Sequence, residues 1–270
     1  MVVTRRTFAQ LAASAVTAGI APRSFGSTSD APFDTLRDKR LNIGCLLFPG
    51  MDQIDFTGPF SVLSRLPQAQ IHVLAKDLNP VRDHKGLLLT PDTTLSAAPP
   101  LDLLLVTGGP GQEAMMDDAA VLSLIRNHMQ AAKPLFSVCT GALICGAAGV
   151  LRGRRATTHW AAFDLLRYFG ADPVDARVVV DGNLVSAAGI TAGIDGALTV
   201  ASLLRGQDVA QQIQLDIQYA PEPPFNAGSP HTAPGHVVGA VTARYRSLSD
   251  ARHVTAKRVA QRLGVPSLDR

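Results

Sequence analysis

The amino-acid sequence predicts a single α/β domain: a doubly wound, mostly parallel sheet with helices on both faces. Three observations carry that expectation. Short continuous apolar runs recur along the chain, as strands buried on both faces of a sheet do, among them 41–48 (LNIGCLLF), 101–106 (LDLLLV) and 134–138 (PLFSV). Stretches with apolar residues at helical spacing lie between them. Short loops containing Gly and Pro join the two kinds of segment, which favours parallel crossover connections. The chain has 270 residues, 46% hydrophobic and 17% charged, enough to fill one large core and too apolar for general disorder.

The first apolar run ends in a turn signal at Pro49-Gly50. After the loop MDQID, Thr57 with Pro59 predicts a helix start. Residues 71–75 predict a second strand, and 87–89 and 93–95 two shorter ones around Pro91. The run 101–106 ends in Thr107-Gly108-Gly109-Pro110-Gly111, with a helix expected through Ala119 to Ala132. The strand 134–138 runs directly into Cys139-Thr140-Gly141 and the apolar helix ALICGAAGVL. Residues 161–169 predict a helix, and VVVDGNLVSA a β-hairpin turning at Asp181-Gly182-Asn183. The stretch ITAGIDGALTVASLLRG predicts a helix stopped by Gly206. Two more helical stretches, 207–219 and about 234–262, flank the Pro-rich loop APEPPFNAGSP. The order of elements corresponds to a flavodoxin-like arrangement over residues 40–245, with 246–270 as a C-terminal helical tail.

Residues 1–35 have the pattern of a targeting segment and linker. The Arg5-Arg6 pair is followed by Phe8 and a mildly apolar run from Leu11 to Ala21, too short for a permanent membrane helix. This fits a twin-arginine export signal, so a periplasmic location is expected, with a cytoplasmic one as the alternative and no stable membrane insertion after processing. Arg5, Arg6 and Arg23 account for the whole formal net charge of +3. No basic stripe remains for nucleic acid.

The three cysteines, Cys45, Cys139 and Cys145, are an odd number and a poor disulfide framework. Neither they nor His72, His84, His128, His231, His236 and His253 have the spacing of a metal site, so no metal is expected. Cys45 (mid-strand) and Cys145 (inside a helix) read as small buried hydrophobes. Cys139 differs: it follows an apolar strand and opens a helix, the position of a nucleophile elbow. A helix N-terminus there is expected to lower its pKa.

Open parallel sheets bind ligands beyond the carboxyl ends of their strands, and three loops reach that edge: 49–58, 107–111 and 139–141. Gly108 and Gly109 would turn backbone N–H groups toward a ligand as an oxyanion-type pocket. A carboxyl group near the thiolate would be driven toward its protonated form and could serve as general acid and then base. Asp52 and Asp55 both qualify, and either could instead cap the following helix. His159, in ATTHW, reads as a structural histidine beside Trp160 rather than a catalytic one.

The blocks FPGMDQIDFTGP, TGGPG, SVCTGALICGAAGVLRGRRATTHW and APEPPFNAGSP together resemble the ThiJ/PfpI superfamily, with its class I glutamine-amidotransferase-like fold, over about residues 41–245. SVCTGA and RATTHW are similar to a branch that includes the amidase-like domains of AraC-type regulators, and YAPEPPFNAGSP to the isonitrile hydratases within it. The resemblance implies that Cys139 is the nucleophile, that Asp55 rather than Asp52 is the catalytic carboxylate, and that Thr140 assists. It implies substrate contacts at Gly108, Gly109, Gly189 and Ile190. The activity implied is that of a lyase hydrating an isonitrile, its small-molecule substrate, to an N-substituted formamide through a thioimidate on Cys139. No cofactor is needed, and a homodimer is implied. One departure stands out: Ala187 and Ala188 replace glycines of the family's Gly-rich stretch, where their methyl groups could narrow the pocket or stiffen a moving helix. Two other readings compete. One is a non-catalytic ligand sensor, weakened because only about 30 residues follow the segment around Pro234 and its helix. The other is a glyoxalase- or deglycase-like thiol enzyme. A peptidase is disfavoured, because Thr140 stands where peptidase relatives place His.

Overall fold

A computed structural model describes residues 31–266. The export signal expected in residues 1–35 lies outside them apart from its last few residues. Helix α1 (Ala31–Asp34) precedes strand β1 (Leu41–Leu46), whose Leu41, Ile43 and Cys45 are fully buried. Helix α2 (Gln53–Leu63) starts one turn before the point that Thr57 and Pro59 signalled. The reason is Asp52, whose Oδ1 accepts the Ile54 N–H at 3.0 Å and caps the helix upstream. Pro59 is thereby left inside the helix. It has no N–H to offer the Asp55 carbonyl.

The chain continues through β2 (Ala69–Ala75), the small ribbon of β3 (Val81–Arg82) and β4 (Leu88–Leu89), and β5 (Thr93–Thr94). Next come β6 (Leu103–Val106), the short α3 (Gln112–Met115), α4 (Ala119–Gln130), β7 (Leu135–Val138) and α5 (Gly141–Ala147). Strand β8 (Arg155–Ala156) leads to residues Trp160–Phe169, and β9 (Asp172–Pro173) follows. Residues Trp160–Phe169 wind as a 3₁₀ helix, tighter than an α-helix. Their buried side chains fall at Ala162 and Leu165 and again at Leu166 and Phe169, a spacing of three that a 3₁₀ helix aligns on one side. The hairpin forms as β10 (Val178–Asp181) and β11 (Leu184–Ala187), joined through Gly182-Asn183. Helices α6 (Ala192–Arg205), α7 (Gln207–Asp216) and α8 (Gly235–Leu263) complete the chain.

The seven-stranded sheet has the order β10-β11-β7-β6-β1-β2-β5. Every pairing is parallel except β10 with β11. β1 lies between β6 and β2, so the chain winds outward from it in both directions and opens a crevice at the carboxyl ends of β1 and β6. α1, α2, α6 and α7 pack together, while α3, α4, α5, the 3₁₀ helix and α8 form the second group. α8 runs unbroken across residue 245, so the segment 246–270 does not begin as a separate tail. Its Arg252, Thr255, Ala256, Val259 and Ala260 are buried in the body of the domain. Among the described residues, no helix is long and apolar enough to cross a membrane.

Candidate active site

Cys139 sits at the end of β7 with a φ of 55°, in the left-handed region that a side chain rarely adopts. Three anchors hold the turn. Its N–H is shared between the Ala187 and Ala188 carbonyls at 3.0 and 2.9 Å. Its carbonyl accepts the Thr158 hydroxyl at 2.8 Å. Helix α5 starts directly behind it, close against the strand end. The thiol therefore projects off the carboxyl edge of the sheet, as an elbow requires, yet only 5% of the residue is exposed.

The ambiguity between the two aspartates resolves by position. Asp52 is occupied in capping α2. Asp55, one turn on, is fully buried, and its Oδ2 accepts the Gly108 N–H at 3.0 Å. Oδ1 has no standard partner among the described residues, so the contact between the carboxyl and the Cys139 thiol is looser than an ordinary hydrogen bond. Burial, with a further push from Asp52, raises the Asp55 carboxyl to about 8, while the Gly108 N–H and the Cys139 side chain oppose the rise.

Burial also pushes the Cys139 thiol well above its ordinary range, and the Asp55 carboxylate adds to that. The Ile190 and Thr140 backbone N–H groups and the Arg252 guanidinium pull it back. The expected lowering by the helix terminus is thus outweighed by desolvation. Acid and thiol titrate as a coupled pair. Cys45 and Cys145 are free, buried and raised by desolvation, in keeping with their structural reading.

Gly108 and Gly109 lie where the sequence put them but act differently. The Gly108 N–H holds Asp55, and the Gly109 N–H donates to Thr140 Oγ1 at 3.1 Å. Both donors are engaged, so they position side chains instead of forming a free oxyanion pocket. Gly109, at φ 116°, passes so close to the Asp52 backbone that a Cβ would collide with it. The Thr140 hydroxyl faces Gly109 and Arg252; its backbone N–H is what addresses the thiol. Ile190, at φ 36°, turns its own N–H to the sulfur. The groups that could meet a substrate anion beside Cys139 are therefore the N–H groups of Thr140 and Ile190.

Gly189 supports the His159 ring: a Cβ there would lie 2.8 Å from His159 Cδ2. His159 Nδ1 accepts the Ala161 N–H at 3.3 Å, and the ring packs against Trp160 and Tyr245 at 5.4 and 5.8 Å between centroids. Burial, helped by Arg252, lowers His159 to about 4, so it is neutral at physiological pH, consistent with a structural part. The fully buried Ala187 methyl lies beside Gly196 of α6, in the contact between β11 and that helix. Among the described residues, no cluster of three or more His, Cys, Asp or Glu side chains is placed to hold a metal ion.

Nothing in the sequence pattern singles out Arg252. It lies on α8 and is only 3% exposed. Five arginines share that helix, and nothing local distinguishes the one that points inward.

A doubly wound parallel sheet with a cysteine elbow facing a buried carboxyl at its switch point defines a class of thiol-bearing α/β proteins. Residues 42–203 match the DJ-1/PfpI family, and the chain belongs to that family. Isonitrile hydratase from Pseudomonas putida is 50% identical over 225 residues, covering 83% of this chain and 99% of that protein. The crystal structure of a ThiJ/PfpI family protein from Pseudomonas syringae superposes with a TM-score of 0.78 at 37% identity, over 90% of this chain and 99% of that one. The HTH-type transcriptional regulator CdhR of Pseudomonas aeruginosa is 30% identical over 62% of this chain, a match spanning only 52% of the regulator.

Proposed function

We propose that this protein hydrates an isonitrile to an N-substituted formamide through a thioimidate on Cys139. The observation that carries this reading is the elbow thiol beside a carboxyl held at about 8 in a buried, one-donor environment. Such an acid can give a proton to a carbon nucleophile near neutral pH and recover it from water. The 50% identity to an isonitrile hydratase supports the substrate class.

The pair reacts from its one-proton state, in the minor tautomer with that proton on Asp55 and the charge on sulfur. The carboxyl at about 8 ionises before the desolvated thiol, so this tautomer forms as the proton crosses from thiol to carboxylate. The thiolate attacks the terminal isonitrile carbon, forming the S–C bond. Asp55 delivers its proton to the same carbon, leaving R–N=CH–S–Cys139 and a carboxylate. The carboxylate then takes a proton from water as the water oxygen adds to the thioimidate carbon. The hydroxyl proton passes to nitrogen as the C–S bond breaks. R–NH–CHO leaves, and the thiolate and protonated Asp55 are restored. The Ile190 and Thr140 N–H groups steady the sulfur charge at the start and end of the cycle.

The test is formamide formation from an aliphatic and an aromatic isonitrile by the purified protein, followed by mass spectrometry. Turnover that survives unchanged in Cys139→Ala rejects the reading. Methylglyoxal consumption without isonitrile turnover favours the deglycase-like reading instead. The family resemblance also supports a homodimer, checked by light scattering. The Arg5-Arg6 motif supports twin-arginine export, checked with a reporter fused to residues 1–35. Export unaffected by replacing both arginines with lysine overturns it.

A further inference from the structure

Arg252 is a buried cation whose hydrogen bonds go to neutral acceptors. Its Nε donates to Gln112 Oε1 at 2.8 Å, and its Nη2 to the Gly109 carbonyl at 3.2 Å and to Thr140 Oγ1 at 3.4 Å. Burying a guanidinium without a tight carboxylate partner is unfavourable unless a negative charge forms nearby. By contrast, Arg258 and Arg262 on the same helix reach the exposed Asp117 in ordinary surface pairs. We propose that Arg252 is a positioning residue for the Cys139 thiolate: it locks Thr140 and the Gly109 turn behind the elbow, and its charge raises the share of the pair that has the proton on Asp55 and the negative charge on sulfur.

The charges around the pair support this. Asp55 faces the thiol from α2, with Asp52 adding negative charge behind it. Glu113 of α3 and Tyr245 of α8 interact with Arg252, and so does Cys139, which heads the groups that favour its charged form. His159 also faces Arg252 but is neutral above about 4. Arg252 is therefore the cation among the groups that pull the thiol pKa down. The Gln112 Nε2 beside it is buried and unpaired among the described residues, so Gln112 is turned to serve Arg252 through its oxygen.

The inference rests on the reading of Cys139 as nucleophile, but the readout that decides it, the alkylation midpoint, needs no isonitrile. The rate at which iodoacetamide alkylates Cys139 is followed from pH 6 to 10 by peptide mass mapping in wild type, Arg252→Gln and Arg252→Lys. Arg252→Gln is expected to move the midpoint upward by about one pH unit, a roughly tenfold lower thiolate fraction at a given pH below it. Arg252→Lys is expected to keep the midpoint near wild type while losing several-fold in isonitrile kcat, because an ammonium cannot reproduce the fork to Gln112, Gly109 and Thr140. An unchanged midpoint in folded Arg252→Gln, or a Lys midpoint displaced as far as the Gln one, overturns the proposal. Should Arg252→Gln fail to fold, the wild type decides. Iodoacetate must then gain on iodoacetamide at Cys139 relative to free cysteine, and an equal or lower ratio overturns the proposal. A charge-dependent midpoint without isonitrile turnover would leave this inference standing and remove the substrate reading alone.

Discussion

Cys139 is held from two sides. On the sheet side, the loops after β1, β6 and β7 bring Asp55, Gly108 and the elbow together through backbone contacts, such as the Asp52 N–H to the Gly108 carbonyl at 3.0 Å. These loops are short and fixed by strand register, so small local motifs suffice to place them. On the other side, α8 contributes a single buried guanidinium more than a hundred residues away in sequence, held by apolar packing through Ala256, Val259 and Ala260. In the proposed mechanism the sheet side supplies the reacting groups, and the helix side supplies the field they react in. Buried acid and buried thiol both resist ionisation; the loop N–H groups of Ile190 and Thr140 oppose that at the sulfur, and the Arg252 guanidinium adds to their pull.

The largest effect that would break this division is at the reacting groups. Cys139→Ala should reduce formamide formation to the uncatalysed rate, whereas Cys145→Ala, at a buried structural site, should leave turnover within a few-fold. Asp55→Asn should lower kcat/KM by about 10²–10⁴-fold. In the wild type kcat/KM should rise with pH up to about 8, as the pair passes from two protons to one.

Asp55 also makes a prediction about stability. Its carboxyl lies at about 8 in the folded protein against an ordinary 3.8, so between these values the folded state binds the extra proton. Stability should therefore fall as pH rises from about 4 to about 8 and level off above. Asp55→Asn should remove that fall and raise Tm above wild type at pH 8, measured by thermal denaturation across that range.

Smaller effects are expected in the α8 packing and at the α2 cap. Val259→Ala, at a fully buried position of α8, should cost about 1.5 kcal/mol in urea denaturation. A loss below about 0.5 kcal/mol would make residues 246–270 the separate tail expected from the sequence. Asp52→Ala should cost about 1 kcal/mol through the lost cap. It should also shift the pH–rate rise of the Asp55–Cys139 pair downward, because Asp52 helps hold Asp55 up.

Much of the site was legible because its residues lie in contiguous motifs at strand ends. Cys139 and Thr140 follow β7, the glycines follow β6, and the hairpin turn at Gly182 was plain from Asp181-Gly182-Asn183. The cap of α2 was misplaced because Pro59 imitated a first-turn proline while Asp52 made the actual cap bond. The engagement of the Gly108 and Gly109 N–H groups could not be read, since which acceptor a loop donor finds depends on neighbouring loops.

By itself, the sequence determined the alternation of strands and helices, the elbow cysteine and the choice of two aspartates beside it. These follow from apolar periodicity and turn chemistry, which act over a few residues. The resemblance had already pointed to Asp55; the tertiary structure supplied the burial that sets it against the thiol, and it alone decided where the backbone donors point and which of five arginines on α8 is turned inward. Those outcomes depend on desolvation and on charges brought together across the fold, and neither is a property of any local stretch of chain.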